Sequence, residues 1–329
     1  MSLVRQAAQV ILRSALAAAI GLSGLAHAQL QPGKPVRLLT PYPPGGSTDT
    51  LSRVVAPKLS EVLGASVNVE AMPGANGSVA LSFLAKAAPD GHTILITTAS
   101  PLVINPHTFP AVSYDALKDF TPITLVATSE SAIVVHPSVP AKDLRELIEL
   151  SRTRPIRFGV AGLGGQPEMV IEKIKLDTGA RFDVVPYKGG GPAINDAVGG
   201  HVDAVLNDIS GFIVPMVESG KLRGLSVLAT TPKSEFLPGS PTLAATGQPA
   251  FAMRSWLILL GPPNMPAALG EHLRKAVVEA VAKDDTIKSL RTNALLPYTL
   301  GSVEETRRFV AAEYEHFRVM QQQTGVKVR

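Results

Sequence analysis

The sequence predicts an α/β fold, and three observations predict it. Short apolar runs of strand length alternate along the chain with longer stretches of helical periodicity. Such alternation implies right-handed parallel crossovers and a sheet covered on both faces. Two glycine-rich turns each follow a predicted strand and open a predicted helix. They are Pro41-Tyr42-Pro43-Pro44-Gly45-Gly46-Ser47-Thr48-Asp49 and Gly162-Leu163-Gly164-Gly165-Gln166-Pro167-Glu168. Past the N-terminal leader, about 300 residues remain, enough for two domains of ordinary size.

Residues 1–28 read as a signal peptide rather than as part of the fold. Arg5 and Arg13 make a positive start, residues 14–25 are small and apolar, and Ala26-His27-Ala28 has the A-x-A form of a cleavage site. The apolar run is shorter than the roughly 20 residues a membrane span needs. The expected product is exported and cleaved after about Ala28, with no lipid-anchoring cysteine, which fits the periplasm.

Residues 36–39 form the first predicted strand, and 48–63 a helix ended by Gly64. Pro57 lies inside that helix and is expected to bend it. A strand follows at 66–70, then the turn Met72-Pro73-Gly74-Ala75-Asn76-Gly77, a helix over 78–87 and a strand over 93–98. Residues 120–136 read as one long extended segment and are the expected first crossing between domains. A second α/β unit follows: helix 143–152, strand 156–160, the second glycine turn, and a helix with Pro167 at its first position and Gly179 at its end. Strands are expected at 182–185, 202–206 and 225–229, with a short helix at 193–198. The chain returns through a strand at 255–260 and closes with two helices, 266–283 and 303–322.

Charge and composition exclude several function classes. There are 31 Lys+Arg against 27 Asp+Glu, a net of +4, and two of those positive charges belong to the leader. That is too little for a nucleic-acid binder, and no basic cluster with interleaved aromatics is present. Cysteine is absent, which removes disulfides, thiol catalysis and thiolate metal sites. No G-x-S-x-G occurs, the second glycine turn fails G-x-G-x-x-G at its last place, and no P-loop lysine follows it. The histidines are scattered and form no H-E-x-x-H. Neither catalytic residues, metal nor cofactor is expected.

The glycine turns suggest a different chemistry. The start of a helix has unpaired N–H groups and a partial positive charge. Without a Cβ, a ligand approaches the main chain closely. Two such starts facing each other make a pincer for a small anion, most simply a carboxylate. The candidate binding residues are Gly45, Gly46, Ser47, Thr48 and Asp49 in one jaw and Gly162, Gly164, Gly165 and Gln166 in the other. Capping is an alternative role for Ser47 and Asp49. Tyr42 is a candidate for lining the pocket. Asn76 is another, with simple turn formation as its alternative. Ser100, Asn207 and Asp208 sit at predicted strand ends, where open α/β sheets bind ligands. Lys188, in a Gly-rich loop, is a candidate partner for a ligand carboxylate. Trp256 is expected to pack between domains.

The chain resembles the Bug-type receptors of the tripartite tricarboxylate transporter (TctC) family. The likeness runs in order through Pro41-Tyr42-Pro43-Pro44-Gly45-Gly46 with Asp49, Pro73-Gly74-Ala75-Asn76-Gly77 and Ala88-Pro89-Asp90-Gly91-His92-Thr93. It continues through Asn105-Pro106, Gly162-Leu163-Gly164-Gly165, Val185-Pro186-Tyr187-Lys188-Gly189, Gly199-Gly200-His201-Val202-Asp203, Gly220-Lys221-Leu222-Arg223 and Pro241-Thr242. The resemblance implies a type II-like periplasmic binding protein: two α/β domains with the ligand cleft between the lobes. The expected domains are 29–127 plus 253–329 and 128–252. It implies a monomeric, non-enzymatic receptor that closes on a small carboxylate (a dicarboxylate, tricarboxylate, amino acid or aromatic acid) and delivers it to the subunits of a membrane carrier. A ligand sensor for a membrane histidine kinase is the alternative, and a secreted enzyme a more distant one.

Three positions depart from the family pattern. Gly165 stands where serine is usual, Glu168 where histidine is usual, and Ala71 where asparagine is common. Glu168 either opposes an anion in the cleft or points away and complements its helix dipole.

Overall fold

The computed structural model describes residues 30–110 and 112–328. The expected signal peptide and its cleavage point lie outside the described residues. Among the described residues no helix is long and apolar enough to cross a membrane.

Ten strands form one continuous curled sheet. The first part holds β1 (Val36–Thr40), β2 (Val67–Ala71) and β3 (Thr93–Thr97), with β2 and β3 parallel to β1 on either side. The 15-residue strand β4 (Thr121–Val135) joins the two parts. Its first stretch, Thr121 to Glu130, pairs antiparallel with β9 (Arg254–Gly261), which itself pairs with β3. Its second stretch, Ser131 to Val135, pairs antiparallel with β7 (Ala204–Asp208) and β8 (Arg223–Val227). Beyond β7 lie β5 (Ile156–Ala161) and β6 (Phe182–Tyr187), both parallel in register. A two-residue strand, β10 (Leu296–Pro297), completes the set on β4. Strand β4 therefore changes partners between Glu130 and Ser131.

Side-chain alternation decides which helices cover which face. In β3, Ile94 and Ile96 face one core while Leu95 faces the other. The first core is closed by α1 (Ser47–Leu63) through Leu51, Val55 and Leu59, and by α8 (Ala267–Val281) through Leu269, Leu273 and Val277. The second is closed by α2 (Ser78–Leu84) and by the last helix, α10 (Val303–Thr324), through Val310 and Phe317. In the other lobe, Ile133 and Val135 face α4 (Leu144–Thr153) and α5 (Gln166–Thr178). Ala132 and Val134 face α6 (Gly190–Val198) and α7 (Ile213–Glu218). Each fully buried aliphatic side chain contributes about 1.5–3 kcal/mol. The period-2 pattern thus stabilises both faces of the sheet.

Most elements lie within a few residues of where the sequence places them; β10 was not expected, and five further differences stand out. Pro167 is the second helical residue, because Gly165 is the cap and Gln166 opens α5. The short helix α6 begins at Gly190 rather than at residue 193. Ser100 lies in a π-helical turn (Ser100–Ile104) leading into α3 (Asn105–Thr108), where no helix was expected. The short helix α7 was also unexpected. A polar helix, α9 (Asp284–Thr292), stands between the two expected closing helices. Asp284 and Asp285 occupy its first turn, and Asp285 pairs with Lys58 of α1 at 2.8 Å.

Candidate functional site

The two glycine turns are built alike. In the first, Gly45 takes a left-handed φ of 98°, Gly46 caps α1 in extended conformation, and the helix starts at Ser47. In the second, Gly164 takes φ of 72°, Gly165 caps α5 in the same extended conformation, and the helix starts at Gln166. The third helical residue of each then reaches back. Asp49 Oδ2 accepts from the Gly45 amide at 3.1 Å, and Glu168 Oε2 accepts from the Gly164 amide. Two surface helices use the same device: Glu146 accepts from the Lys142 amide at 2.7 Å and Glu305 from the Gly301 amide at 2.8 Å. Each closure satisfies a donor that would otherwise be left open before the helix.

This geometry settles the orientation of Glu168. Its carboxylate is folded onto its own loop and does not line the cleft. Burial pushes its carboxyl above the ordinary carboxylate range, opposed by the hydrogen bond from Gly164. Asp49 is buried and holds Arg53 Nε at 2.9 Å besides Gly45, so it orders the first loop.

The two junctions face each other across the gap between lobes. The Gln166 amide donates to Ser100 Oγ at 3.1 Å, and Ser47 Oγ donates to Asp208 Oδ2 at 3.3 Å. A Cβ on Gly162 would sit 2.1 Å from Asn76 Oδ1, and its φ of 81° already disfavours a side chain. Only glycine lets the second loop close on Asn76. A Cβ on Gly165 would lie 3.1 Å from Ser100 Oγ, so a serine there would crowd the hydroxyl that now holds Gln166.

Between the lobes lies a cavity of about 80 Å³. The first lobe lines it with Tyr42, Pro43, Pro44, Gly46, Ser47, Thr48, Thr98, Ser100 and Ser255. From the second come Ala161, Gln166, Pro167, residues 189–192, Asn207 and Asp208, with Met253 at the crossing. The residues 189–192 are the start of α6. Three helix starts therefore converge on the cavity, where two were expected. Among the described residues no Lys, Arg or His lines it. Thr48 is 1% exposed, and its hydroxyl has no partner among the described residues.

Asp208 is the one acidic side chain in the wall. Ser131 and Ser255 donate to it at 3.0 Å each, in addition to Ser47. Burial pushes its carboxyl upward, while the three hydroxyls favour the ionised form. Burial likewise raises Tyr42, so its phenol stays protonated and donates to Asn76 Oδ1 at 3.3 Å.

Of the residues singled out by sequence, Tyr42, Gly46, Ser47, Thr48, Ser100, Gln166, Asn207 and Asp208 line the cavity. Gly45, Asp49, Gly162, Gly164 and Gly165 shape the loops behind it. Asn76 and Lys188 line a neighbouring chamber of about 510 Å³ on the other side of Tyr42 and Pro43. Sequence reasoning missed Thr98, Ser255 and residues 189–192. The Gly189-Gly190-Gly191-Pro192 run was the available signal for the third helix start. Trp256 lies in a core cluster that also holds Met169 of α5 from the other lobe; its Nε1 donates to Glu313 at 2.7 Å and its ring meets Phe309 edge-on.

Residues 51–326 match the family model described as "Tripartite tricarboxylate transporter family receptor". The chain is 30% identical to protein BugT of Bordetella pertussis over 315 residues, covering 95% of this chain and 96% of that one. Among solved structures, one described as a periplasmic transporter superposes with a TM-score of 0.84 at 33% identity, over 90% of this chain and 99% of that one. Rpa4515 of R. palustris, solved with adipate, superposes with a TM-score of 0.83 at 31% identity, over 89% and 98%. The chain is thus a member of the tripartite tricarboxylate transporter receptor family, of the Bug (TctC) type of solute-binding protein.

Proposed function

We propose that this protein is a periplasmic receptor that binds a small carboxylate between its lobes and hands it to a membrane carrier of the tripartite tricarboxylate type. One observation carries this reading. Three helix starts and the unpartnered Thr48 hydroxyl surround a cavity that no basic side chain lines. Such a wall offers donors and partial positive charge but no full cation, which suits one carboxylate group held by main-chain amides. Rpa4515 was solved with adipate, a small dicarboxylate.

The lobes are taken as 29–127 plus 253–329 and 128–252, with rocking about the β4 and β9 segments. Charge-assisted hydrogen bonds contribute about 1.5–3 kcal/mol each. Four or five of them, less the cost of immobilising ligand and lobes, reach about −8 kcal/mol, a micromolar Kd. Binding requires no covalent step. Export through residues 1–28, cleavage after about Ala28 and action as a monomer belong to the same reading.

A thermal-shift screen of small carboxylates tests it. A binder at 100 times its Kd adds about 2.7 kcal/mol of stability. The reading expects such a shift from at least one acid and none from neutral sugars. A shift from a sugar or a cation alone would overturn it.

A further inference from the structure

Asp208 is out of place in a wall made to receive an anion. It ends β7 and lies at the cavity surface, only partly covered, with three serine hydroxyls around it. These come from three elements: Ser47 at the start of α1, Ser131 on β4 and Ser255 on β9. A carboxylate offers about four lone-pair positions. Ser47 and Ser255 take both on Oδ2, while Ser131 takes one on Oδ1. Among the described residues one acceptor position on Oδ1 has no partner, and Asp208 is part of the cavity lining. Among the described residues no Lys or Arg lines the wall beside it.

A ligand whose only polar group is one carboxylate leaves that acceptor unfilled. A second carboxylate placed there meets like charge. A hydroxyl or an ammonium fills it, and an ammonium also offsets the charge. We propose that the bound acid carries, beside its carboxylate, a hydroxyl or ammonium group that donates a hydrogen bond to Asp208. Asp208 is then the residue that sets specificity, while the helix starts supply the anion grip. This rests on the carboxylate-receptor reading above and names the ligand class within it.

Calorimetric titration of the mature wild-type chain with two matched series tests the inference. One series is succinate, oxaloacetate, malate and aspartate; the other is propionate, pyruvate, lactate and alanine. The expected result is that, in at least one series, a donor-bearing acid binds about tenfold or more tightly than its unsubstituted and oxo counterparts. Preference for malate or lactate assigns the donor as hydroxyl, and preference for aspartate or alanine assigns it as ammonium. Asp208→Asn, which lacks the charge and turns a donor toward the site, is expected to cut the preference to under about threefold. Equal or tighter binding of an unsubstituted or oxo acid overturns the inference and leaves the carboxylate reading standing. Retention of the full preference in Asp208→Asn does the same. No binding by any acid of either series overturns the carboxylate reading and this inference with it. The wild-type series decides alone should the variant misfold.

Discussion

Ser47 Oγ donates to Asp208 Oδ2 at 3.3 Å, joining the first residue of α1 to the last residue of β7 across the gap between the lobes. The two residues are 161 positions apart in sequence. With the Gln166 amide on Ser100 Oγ, the end of β7 is tied to the start of α1 and the π-helical turn after β3 to the start of α5. Closure is thus built from the same groups that wall the cavity. Removing the Ser47 hydroxyl should weaken the closed state by about 0.5–1.5 kcal/mol. Ser47→Ala is therefore expected to raise Kd between about twofold and tenfold at an unchanged melting temperature of the free protein. Calorimetry beside a melt of the apo variant checks both; an unchanged Kd would show that the link does not contribute to closure.

Gly46 and Gly191 both line the cavity, and a Cβ on either has no atom within 4 Å. Neither needs a left-handed φ. Gly46→Val and Gly191→Val should therefore fold, with a stability loss under about 2 kcal/mol, while their branches block the approach to the amides. Binding should drop by more than a hundredfold in each. A variant that keeps wild-type affinity would place the ligand elsewhere.

Gly164 behaves differently, although it belongs to the same loop family. Its φ is 72°, and a Cβ there would lie 2.7 Å from a Val328 methyl and 3.1 Å from Thr108 Oγ1. Gly164→Val is expected to lower stability by several kcal/mol, on the order of other left-handed and overpacked sites. Chemical denaturation measures this directly, and a loss below about 1 kcal/mol would mean the loop relaxes freely.

Glu168 makes stability depend on pH in a stated direction. Its carboxyl is raised by burial above the ordinary value of 4.5. A raised carboxyl favours the folded state most below its unfolded value, and that contribution is lost as pH rises through the folded value. Glu168→Gln keeps an acceptor for the Gly164 amide and removes the titration. The melting temperature of the variant should therefore gain on wild type as pH rises from about 4 to 7. Parallel pH curves would mean the carboxyl titrates as an exposed one does.

Ser302 caps α10 by accepting from the Glu305 amide at 3.0 Å, while Glu305 accepts from the Gly301 amide. Ser302→Ala should cost about 1 kcal/mol in chemical denaturation and leave ligand affinity unchanged, because the cap is remote from the cavity. A change in affinity would couple α10 to closure.

The strands and the two main glycine turns were legible because each rests on local rules. Short apolar runs mark the strands, and Gly45 and Gly164 occupy left-handed positions that glycine fills readily. The third helix start was missed: Gly190 and Gly191 are poor helix formers, so the pattern suggested a loop to residue 192 and a helix from Ala193. Helix α9 was missed because its nine residues are mostly polar and bury only Thr286 and Leu290. The surroundings of Asp208 lay beyond any local rule, since Ser131 and Ser255 are 77 and 47 positions away. Glu168 was ambiguous in sequence because a carboxylate in a first helical turn serves the dipole equally well in either orientation. Only the fold shows it bonded to Gly164.

A crystal structure of the mature chain, grown with the acid that binds it most tightly, tests the central claim most directly. The account predicts one carboxylate group within hydrogen-bond distance of amides at the starts of α1 and of α5 or α6, in the cavity beside Thr48. A ligand found instead in the chamber beside Asn76 and Lys188, or gripped by side-chain cations, would contradict it.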